Sequence, residues 1–108
     1  MSFCLAVKEF YLHPVTVFMQ DDKGGFTSSK FTVKFRRVPL PEMDSLKALT
    51  GKELIQSVVI GWKDLVDEQG NDVEFTPEHL EQLISIGPAF SAIYDAFWES
   101  QIKAKAKN

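Results

Sequence analysis

The sequence predicts one α+β domain over residues 1–108, in which an N-terminal basic β-hairpin, or small antiparallel sheet, packs against three to four C-terminal helices. Apolar and polar residues alternate in two segments within residues 1–41, which is typical of strands. Over residues 42–102 apolar residues recur at helical spacing, and Thr-x-x-Glu, Thr-Pro and Gly-Pro sequences mark helix starts. A chain of 108 residues can bury a core without disulfides or metal.

The hairpin is predicted over residues 15–37. Its two alternating segments flank a turn at 21–25, where two glycines accept a positive φ. One face of the second segment is apolar and the other is cationic, so we expect the strand to bury only the first. The apolar face is Phe31, Val33 and Phe35, and the cationic face is Lys30, Lys34 and Arg36, with Arg37 next along the chain. Residues 1–13 fit either a strand or a helix that Pro14 would end.

Two helices are predicted after the proline-containing segment 38–41. Thr50 and Glu53 have the spacing of a capping box, in which each side chain accepts a hydrogen bond from the other residue's backbone N–H. The helix that starts there is predicted to run to Trp62, because its apolar residues recur every three or four positions. The β-branched run 58–60 lowers the helix propensity of this segment, but the spacing favours a helix.

An acidic turn and two more helices complete the predicted fold. The turn spans residues 67–72. Thr76 is expected to cap a helix whose first residue is Pro77, and the end of the last helix is expected to fray over 103–108. We expect Trp62 to be mostly buried and to hold the turn against the helices. The residues predicted to have structural roles are Trp62, Gly70, Phe75, Thr76 and Pro77.

No residue pattern indicates a metal site, a cofactor site or a catalytic centre. Zinc requires about four N, S or O ligands, and one cysteine and two histidines provide no such set. If Gly70 were the sixth position of a calcium loop, Leu65 would be the first, and its side chain has no ligand oxygen. The sequence contains no glycine-rich phosphate loop and no nucleophile motif. We therefore expect a protein that is not an enzyme and has no cofactor.

The expected compartment is the cytoplasm. Lys8 and Glu9 interrupt the apolar N-terminal stretch, unlike a secretory signal. The uncharged apolar run Ser57–Trp62 is far too short to span a bilayer, so no membrane association is expected. Cys4 has no internal partner for a disulfide, which fits a reducing compartment.

Charge is divided unevenly along the chain. Residues 1–41 carry six Lys or Arg against three Asp or Glu, residues 42–99 carry three against twelve, and residues 100–108 carry three lysines. One interpretation is an ordinary acidic helical surface beside a basic hairpin. The other is a homo-oligomer, in which the basic part of one copy contacts the acidic part of the next, because opposite potentials steer association. The residues predicted to contribute are Lys30, Lys34, Arg36 and Arg37.

Nucleic-acid binding is a weaker alternative for the same basic strand. Cationic strands that carry aromatic residues can bind single-stranded nucleic acid. Here the aromatic residues Phe31 and Phe35 are expected to be buried, and the protein has a net charge of -3. We therefore expect no nucleic-acid partner.

Aromatic residues are concentrated in the last predicted helix. Phe90, Tyr94, Phe97 and Trp98 cover a stripe wider than one core contact needs. Either all four belong to the core, or one edge of the helix contacts a partner. Tyr and Trp are enriched at binding hot spots, so we predict partner binding by Tyr94 and Trp98.

A distinctive pattern extends over residues 53–80. An apolar helix is expected to end in Gly61-Trp62, a turn of the type Val-Asp-Glu-x-Gly follows, and Phe-Thr-Pro then starts a helix. The preceding Phe-x-Val-x-Phe-Arg-Arg strand and the closing helix, rich in alanine and aromatic residues, belong to the same pattern. It resembles the tail assembly chaperones of lambda-like and related long-tailed bacteriophages. The resemblance covers about residues 30–102, and residues 1–29 contribute little to it.

The resemblance implies a specific role in the host cell cytoplasm. Such chaperones bind the long tape measure protein, keep it soluble, recruit tail tube protein and leave before the virion is complete. A longer form is often made by programmed ribosomal frameshifting. Two other interpretations stay open, namely a structural tail component (a tube, completion or joining protein) and a generic bacterial protein-interaction module. A structural component would remain in purified virions, whereas a chaperone would not.

Overall fold

The predicted α+β class is confirmed by the computed structural model, which describes the backbone of residues 1–106 and the side chains of residues 1–102. The elements in chain order are β1 (Phe10–Gln20), β2 (Phe26–Arg36), α1 (Leu40–Lys47), α2 (Gly51–Val58), β3 (Val59–Lys63), α3 (Pro77–Ile84) and α4 (Gly87–Ala106). The three strands form one antiparallel sheet in the order β1-β2-β3.

The predicted β1–β2 hairpin is present, and local hydrogen bonds hold its turn. A carboxylate oxygen of Asp21 accepts hydrogen bonds from the backbone N–H groups of Lys23 and Gly25, both at 2.8 Å. Gly24 has a φ of 87°, a conformation that glycine adopts without steric cost. The turn chemistry therefore fixes the register that the alternating strands need.

β1 begins at Phe10, earlier than the predicted start at residue 15, and it contains Pro14. It is an edge strand, since β2 is its one neighbour in the sheet of described residues. An edge strand tolerates proline because one side of its backbone needs no partner in the ladder. Residues 1–9, left ambiguous by their sequence, precede β1 as an irregular and exposed segment.

The prediction that a helix runs to Trp62 is wrong. α2 ends at Val58, and the chain continues directly as β3 along the second side of β2. Strand pairing gives this β-branched segment a ladder of backbone hydrogen bonds, which outweighs its helical spacing. The register shifts between Lys34 and Phe35, so that Ile60 faces no paired residue.

The helix starts at Thr50 and Thr76 have the capping geometry that their sequences favour. The Thr50 hydroxyl accepts a hydrogen bond from the Glu53 N–H at 3.2 Å, and a Glu53 carboxylate oxygen accepts one from the Thr50 N–H at 3.1 Å. The Thr76 hydroxyl accepts one from the His79 N–H at 3.0 Å, and Pro77 is the first residue of α3. These bonds satisfy N–H groups that lack a partner inside the helix.

α4 is the longest helix and packs along β1. The hydroxyl oxygens of Tyr11 and Ser100 are 2.6 Å apart, and the Gln101 side-chain amide donates to the Tyr11 hydroxyl at 2.9 Å. The first strand and the last helix are thereby joined. α4 extends to Ala106, into the segment expected to fray, and residues 107–108 of that segment lie outside the described residues.

The core lies between one face of the sheet and the helices. This inner sheet face consists of Val15, Val17, Phe31, Val33 and Phe35, all buried, which confirms the predicted apolar face of the second strand. Phe35 and Phe97 are both 0% exposed, and their ring centroids are 5.4 Å apart in an edge-to-face arrangement. Among the described residues, no buried side chain is polar or charged.

Candidate interaction surfaces

Three aromatic side chains lie one helical turn apart along α4 and form an aromatic ridge, defined as Phe90, Tyr94 and Trp98. All three are partly buried. The rings of Phe90 and Tyr94 are stacked with centroids 5.9 Å apart, and those of Tyr94 and Trp98 meet edge to face at 6.4 Å. Phe90 packs so closely on α2 that a Cβ at Gly51 would lie 2.6 Å from its ring. The ridge is therefore anchored in the domain at Phe90 and continues along α4 through the two predicted partner-binding residues, which also pack against the core.

Tyr94 and Trp98 present their polar atoms to water. Within the described part of the chain, neither the Tyr94 hydroxyl nor the Trp98 indole N–H has a hydrogen-bond partner. Every buried side-chain polar atom there does have one, so these two atoms reach solvent. Such residues combine apolar ring area with a hydrated tip, which suits a surface that is alternately free and occupied.

The cations predicted for self-association have different surroundings. Lys30 is exposed. The Lys34 ammonium lies 4.1 Å from the ring centroid of Phe10, and the Arg37 guanidinium lies 5.1 Å from that of Tyr11. Cation–π contacts of this kind contribute about 0.5–1 kcal/mol at exposed sites. Such a contact fixes the position of a cation without neutralising its charge.

Arg36, the remaining cation of this set, is bound within its own chain. Its guanidinium donates to the two carboxylate oxygens of Glu42 at 2.6 and 3.2 Å, and to the carbonyl and hydroxyl oxygens of Ser57 at 2.7 and 2.8 Å. These bonds join β2 to α1 and α2. Because its donors are satisfied here, its charge is less available to a second copy than that of Lys30.

The Arg36–Glu42 pair predicts a pH-dependent contribution to stability. The hydrogen bond from Arg36 lowers the pKa of Glu42 below its ordinary value of 4.5; burial opposes this shift and the charge of Arg36 adds to it. A carboxyl with a lowered folded-state pKa stabilises the fold above its unfolded pKa, and this contribution is lost as pH falls through the folded pKa. We expect Glu42→Gln to be less stable than wild type at pH 7, and the difference to shrink below about pH 4. Urea unfolding measures the free energy of unfolding of wild type and variant at each pH. A stability difference of the same size at pH 7 and below about pH 4 would contradict this role.

Exposed apolar residues on the other face of the sheet were not singled out from the sequence. Leu12, Phe18 and Phe26 are 50%, 65% and 71% exposed. They alternate with the buried residues of β1 and β2 and so point away from the core. The sequence could have identified them, because they occupy the alternate positions of the strands at which a half-buried strand should carry polar residues. We define the outer sheet face as Leu12, Phe18 and Phe26 with Lys30, Lys34 and Lys63, which share that side of the paired strands.

A groove of about 530 Å³ lies between α3 and the loop that follows β3. We call it the acid-lined groove, and the lining residues important here are Leu65, Val66 and Ile86 with Asp67, Asp72 and Glu74. Val66 and Ile86 are exposed although apolar, and the three carboxylates are exposed as well. The groove was not predicted, because it requires two segments that are separate in the sequence.

The loop beside this groove has a defined shape. Asp67 accepts hydrogen bonds on one carboxylate oxygen from the backbone N–H groups of Gln69 and Asn71, both at 2.9 Å. Gly70 has a φ of 84°, which explains the glycine in the predicted turn. An isolated bridge between Val66 and Asp72 closes the loop. The carboxylates of the groove are thus held on an ordered turn.

Trp62 joins β3 to the same loop. The side chain is partly buried, and its indole N–H donates to the Val73 carbonyl at 2.8 Å. The ring meets that of Phe75 edge to face, with centroids 4.8 Å apart. The loop before α3 is therefore fastened to the sheet by one hydrogen bond and one aromatic contact.

The described side chains contain no group of three or more His, Cys, Asp or Glu that could hold a metal ion. In the part of the chain covered by the structure, none of the helices has the length and apolarity that crossing a membrane requires.

Comparison with known proteins gives one family. Residues 26–107 match the family model described as YdaY prophage protein. This match begins at the first residue of β2 and contains the pattern at 53–80, the acid-lined groove and the aromatic ridge. No curated protein and no solved structure gives a significant match to the chain.

Proposed function

This chain belongs to the YdaY prophage protein family and is therefore phage-derived, and from that premise we propose that it is a tail assembly chaperone. Its partners in this proposal are the tape measure protein and the tail tube protein, in the cytoplasm of the host cell. The proposal combines family membership with the sequence pattern at 53–80, which resembles such chaperones. A frameshifted longer form stays a prediction of that resemblance. The role is one of binding and requires neither a catalytic group nor a cofactor.

The observation that carries the proposal is the aromatic ridge with its hydrated polar tips. A holding protein must offer apolar area to its client, and it must remain soluble when the client is absent. Tyr94 and Trp98 meet both requirements, because their rings are partly exposed and their polar atoms reach solvent. Eight residues of helix separate the ends of the ridge, a length of about 12 Å. That length corresponds to roughly two turns of a client helix lying beside α4.

A ridge of this size covers only a short part of a long client. By the resemblance, a tape measure protein is largely helical, with apolar stripes that aggregate when exposed. Several copies must therefore bind along it. Neighbouring weak contacts on one client reinforce each other through their high effective concentration. The proposed chaperone thus needs modest affinity at each ridge, together with many ridges.

The double substitution Tyr94→Ala with Trp98→Ala is expected to abolish most co-purification with the tape measure protein. Aromatic hot spots cost about 2 kcal/mol or more each when truncated, so the dissociation constant should rise on the order of a thousandfold. The measurement is co-expression with the tape measure protein, followed by affinity capture and by quantifying the soluble client. Retention of the wild-type level of captured client would exclude the ridge as the client site.

Leu40→Ala is the matched control, because Leu40 is an exposed apolar residue on α1 and lies outside the ridge. It should leave capture unchanged, and the double variant should still unfold cooperatively in urea.

Mass spectrometry of purified virions tests the function itself. A chaperone should be absent from complete particles, whereas finding this chain there in stoichiometric amount would identify a structural tail component.

A further inference from the structure

We propose that the outer sheet face of one copy binds the acid-lined groove of a second copy. The proposal does not depend on the chaperone role. Both surfaces are exposed in the folded chain, so they do not cover each other within one copy. Each presents exposed apolar residues together with charged ones, which are lysines on the outer sheet face and carboxylates in the groove.

The outer sheet face carries exposed apolar residues towards its two ends and lysines between and beside them. Leu12, Phe18 and Phe26 expose half or more of their surface. β1, β2 and β3 contain no aspartate or glutamate at all. Exposed apolar residues grouped on one face mark an interaction surface more often than single ones do. The lysines of this face add a preference for an acidic partner.

Among the described side chains, the charges on both surfaces form no ion pair. Ion pairs among the described side chains join Arg36 to Glu42 and Lys52 to Glu81. Neither Lys30 nor Lys63 takes part in either pair, and the same holds for the carboxylates of the groove. No salt bridge of the side chains covered by the structure has to break when these groups contact another molecule. Their full charge is available to a partner.

The groove has the complementary chemistry. Val66 and Ile86 provide exposed apolar contacts, and Asp72 and Glu74 provide negative charge beside them. A strand face with phenylalanines and lysines therefore finds apolar and ionic partners in one place. Contact between two identical outer sheet faces would place lysine against lysine, and like charges across an interface are costly. The charge pattern thus favours unlike surfaces of two copies over like ones.

A second copy fits the outer sheet face better than a single-stranded nucleic acid does. A nucleic acid would use the lysines but would leave the complementary groove unexplained. It would also approach a protein whose net charge is -3. The groove is present on every copy at the same concentration as the sheet face. Self-association therefore needs no further component.

Wild-type protein is expected to associate at low ionic strength and to dissociate at high ionic strength in sedimentation velocity. The Debye length falls from about 30 Å at 0.01 M to about 3 Å at 1 M, which screens contacts between exposed charges. Lys30→Glu with Lys63→Glu, and separately Asp72→Lys with Glu74→Lys, should each raise the dissociation constant on the order of a hundredfold. Lys8→Glu with Lys47→Glu is the matched control for the lysine variant, since these lysines are exposed elsewhere and the net charge changes by the same amount and sign.

Mixing the two charge-reversed variants in equal amounts is the decisive step. Each variant alone places like charges across the contact, but the mixture restores opposite charges and should associate again. Leu12→Ala with Phe18→Ala should weaken association at every salt concentration. The proposal is overturned by a wild-type monomer at high micromolar concentration in low salt, by a mixture that stays monomeric, or by an equal loss in the control. Single-stranded DNA that binds and competes with self-association would reassign the outer sheet face to nucleic acid.

Discussion

Phe35→Ala is expected to lower the free energy of unfolding by about 3–5 kcal/mol, the largest effect of any single substitution considered for this fold. The ring of Phe35 is 0% exposed, and its centroid lies 5.7 Å from that of Tyr11 and 5.4 Å from that of Phe97. Truncation leaves a cavity between the sheet and α4, in addition to the lost transfer free energy. Each kcal/mol changes the Tm of a small domain by about 4–8 °C, so the Tm should fall by roughly 12–40 °C.

Phe26→Ala is the control for this substitution, because it removes the same ring from the same strand. Phe26 is 71% exposed on the outer sheet face, so its truncation should change stability by less than about 0.5 kcal/mol. Urea unfolding of the two variants side by side measures the difference between the inner and outer faces of β2. Equal losses in both variants would mean that the two faces are assigned wrongly.

Trp62→Ala is expected to lower the free energy of unfolding by about 2–4 kcal/mol. Full burial of a tryptophan gives about 3–5 kcal/mol on truncation, and the ring of Trp62 is only partly buried. The substitution also removes the indole donor to the Val73 carbonyl and the edge-to-face contact with Phe75. The loop before α3 should become more mobile, which amide hydrogen exchange at residues 64–75 would detect.

Trp62→Phe separates the two contributions of this side chain. It keeps an aromatic ring and removes the N–H donor, so a loss of about 1 kcal/mol is expected. An unchanged Tm in the alanine variant would show that the loop does not depend on Trp62. Fast exchange throughout the sheet in the phenylalanine variant would show that the effect extends well beyond the loop.

The hairpin and the helix starts could be predicted because their signals are local. The alternation in β2 involves residues two positions apart, and the capping box at Thr50 involves residues three positions apart. Hydrogen bonds within the turn at 21–25 likewise join residues two to four positions apart. Physical effects over such short distances are visible in any stretch of sequence.

β3 could not be predicted in the same way. The residues around Val58 have an apolar spacing that fits a helix and a β-branched composition that fits a strand. The segment becomes a strand because it pairs with β2, which lies more than twenty positions earlier and has one side free for pairing. Information about that free side is not contained in the segment itself.

The candidate surfaces also divide into features that neighbouring residues determine and features that depend on contacts between distant segments. The composition of the aromatic ridge indicated Tyr94 and Trp98, but the polar tips reaching solvent depend on how α4 packs against the rest of the domain. The exposed phenylalanines of the outer sheet face could be identified from the sequence, because they occupy the outward-facing positions of the alternating strands. The acid-lined groove had none, since it forms where a loop and α3 come together.

The contact between β1 and α4 has a consequence for the synthesis of the protein. Tyr11 and Ser100 are 89 positions apart, so the ribosome adds 89 residues after Tyr11 before both partners have been made. Until α4 emerges, the inner sheet face lacks the helix that contributes Phe97 to its core. Contacts between distant residues slow folding, and surfaces exposed meanwhile favour aggregation. The nascent chain should therefore complete its core only after α4 has been translated, and its apolar strands are open to aggregation until then.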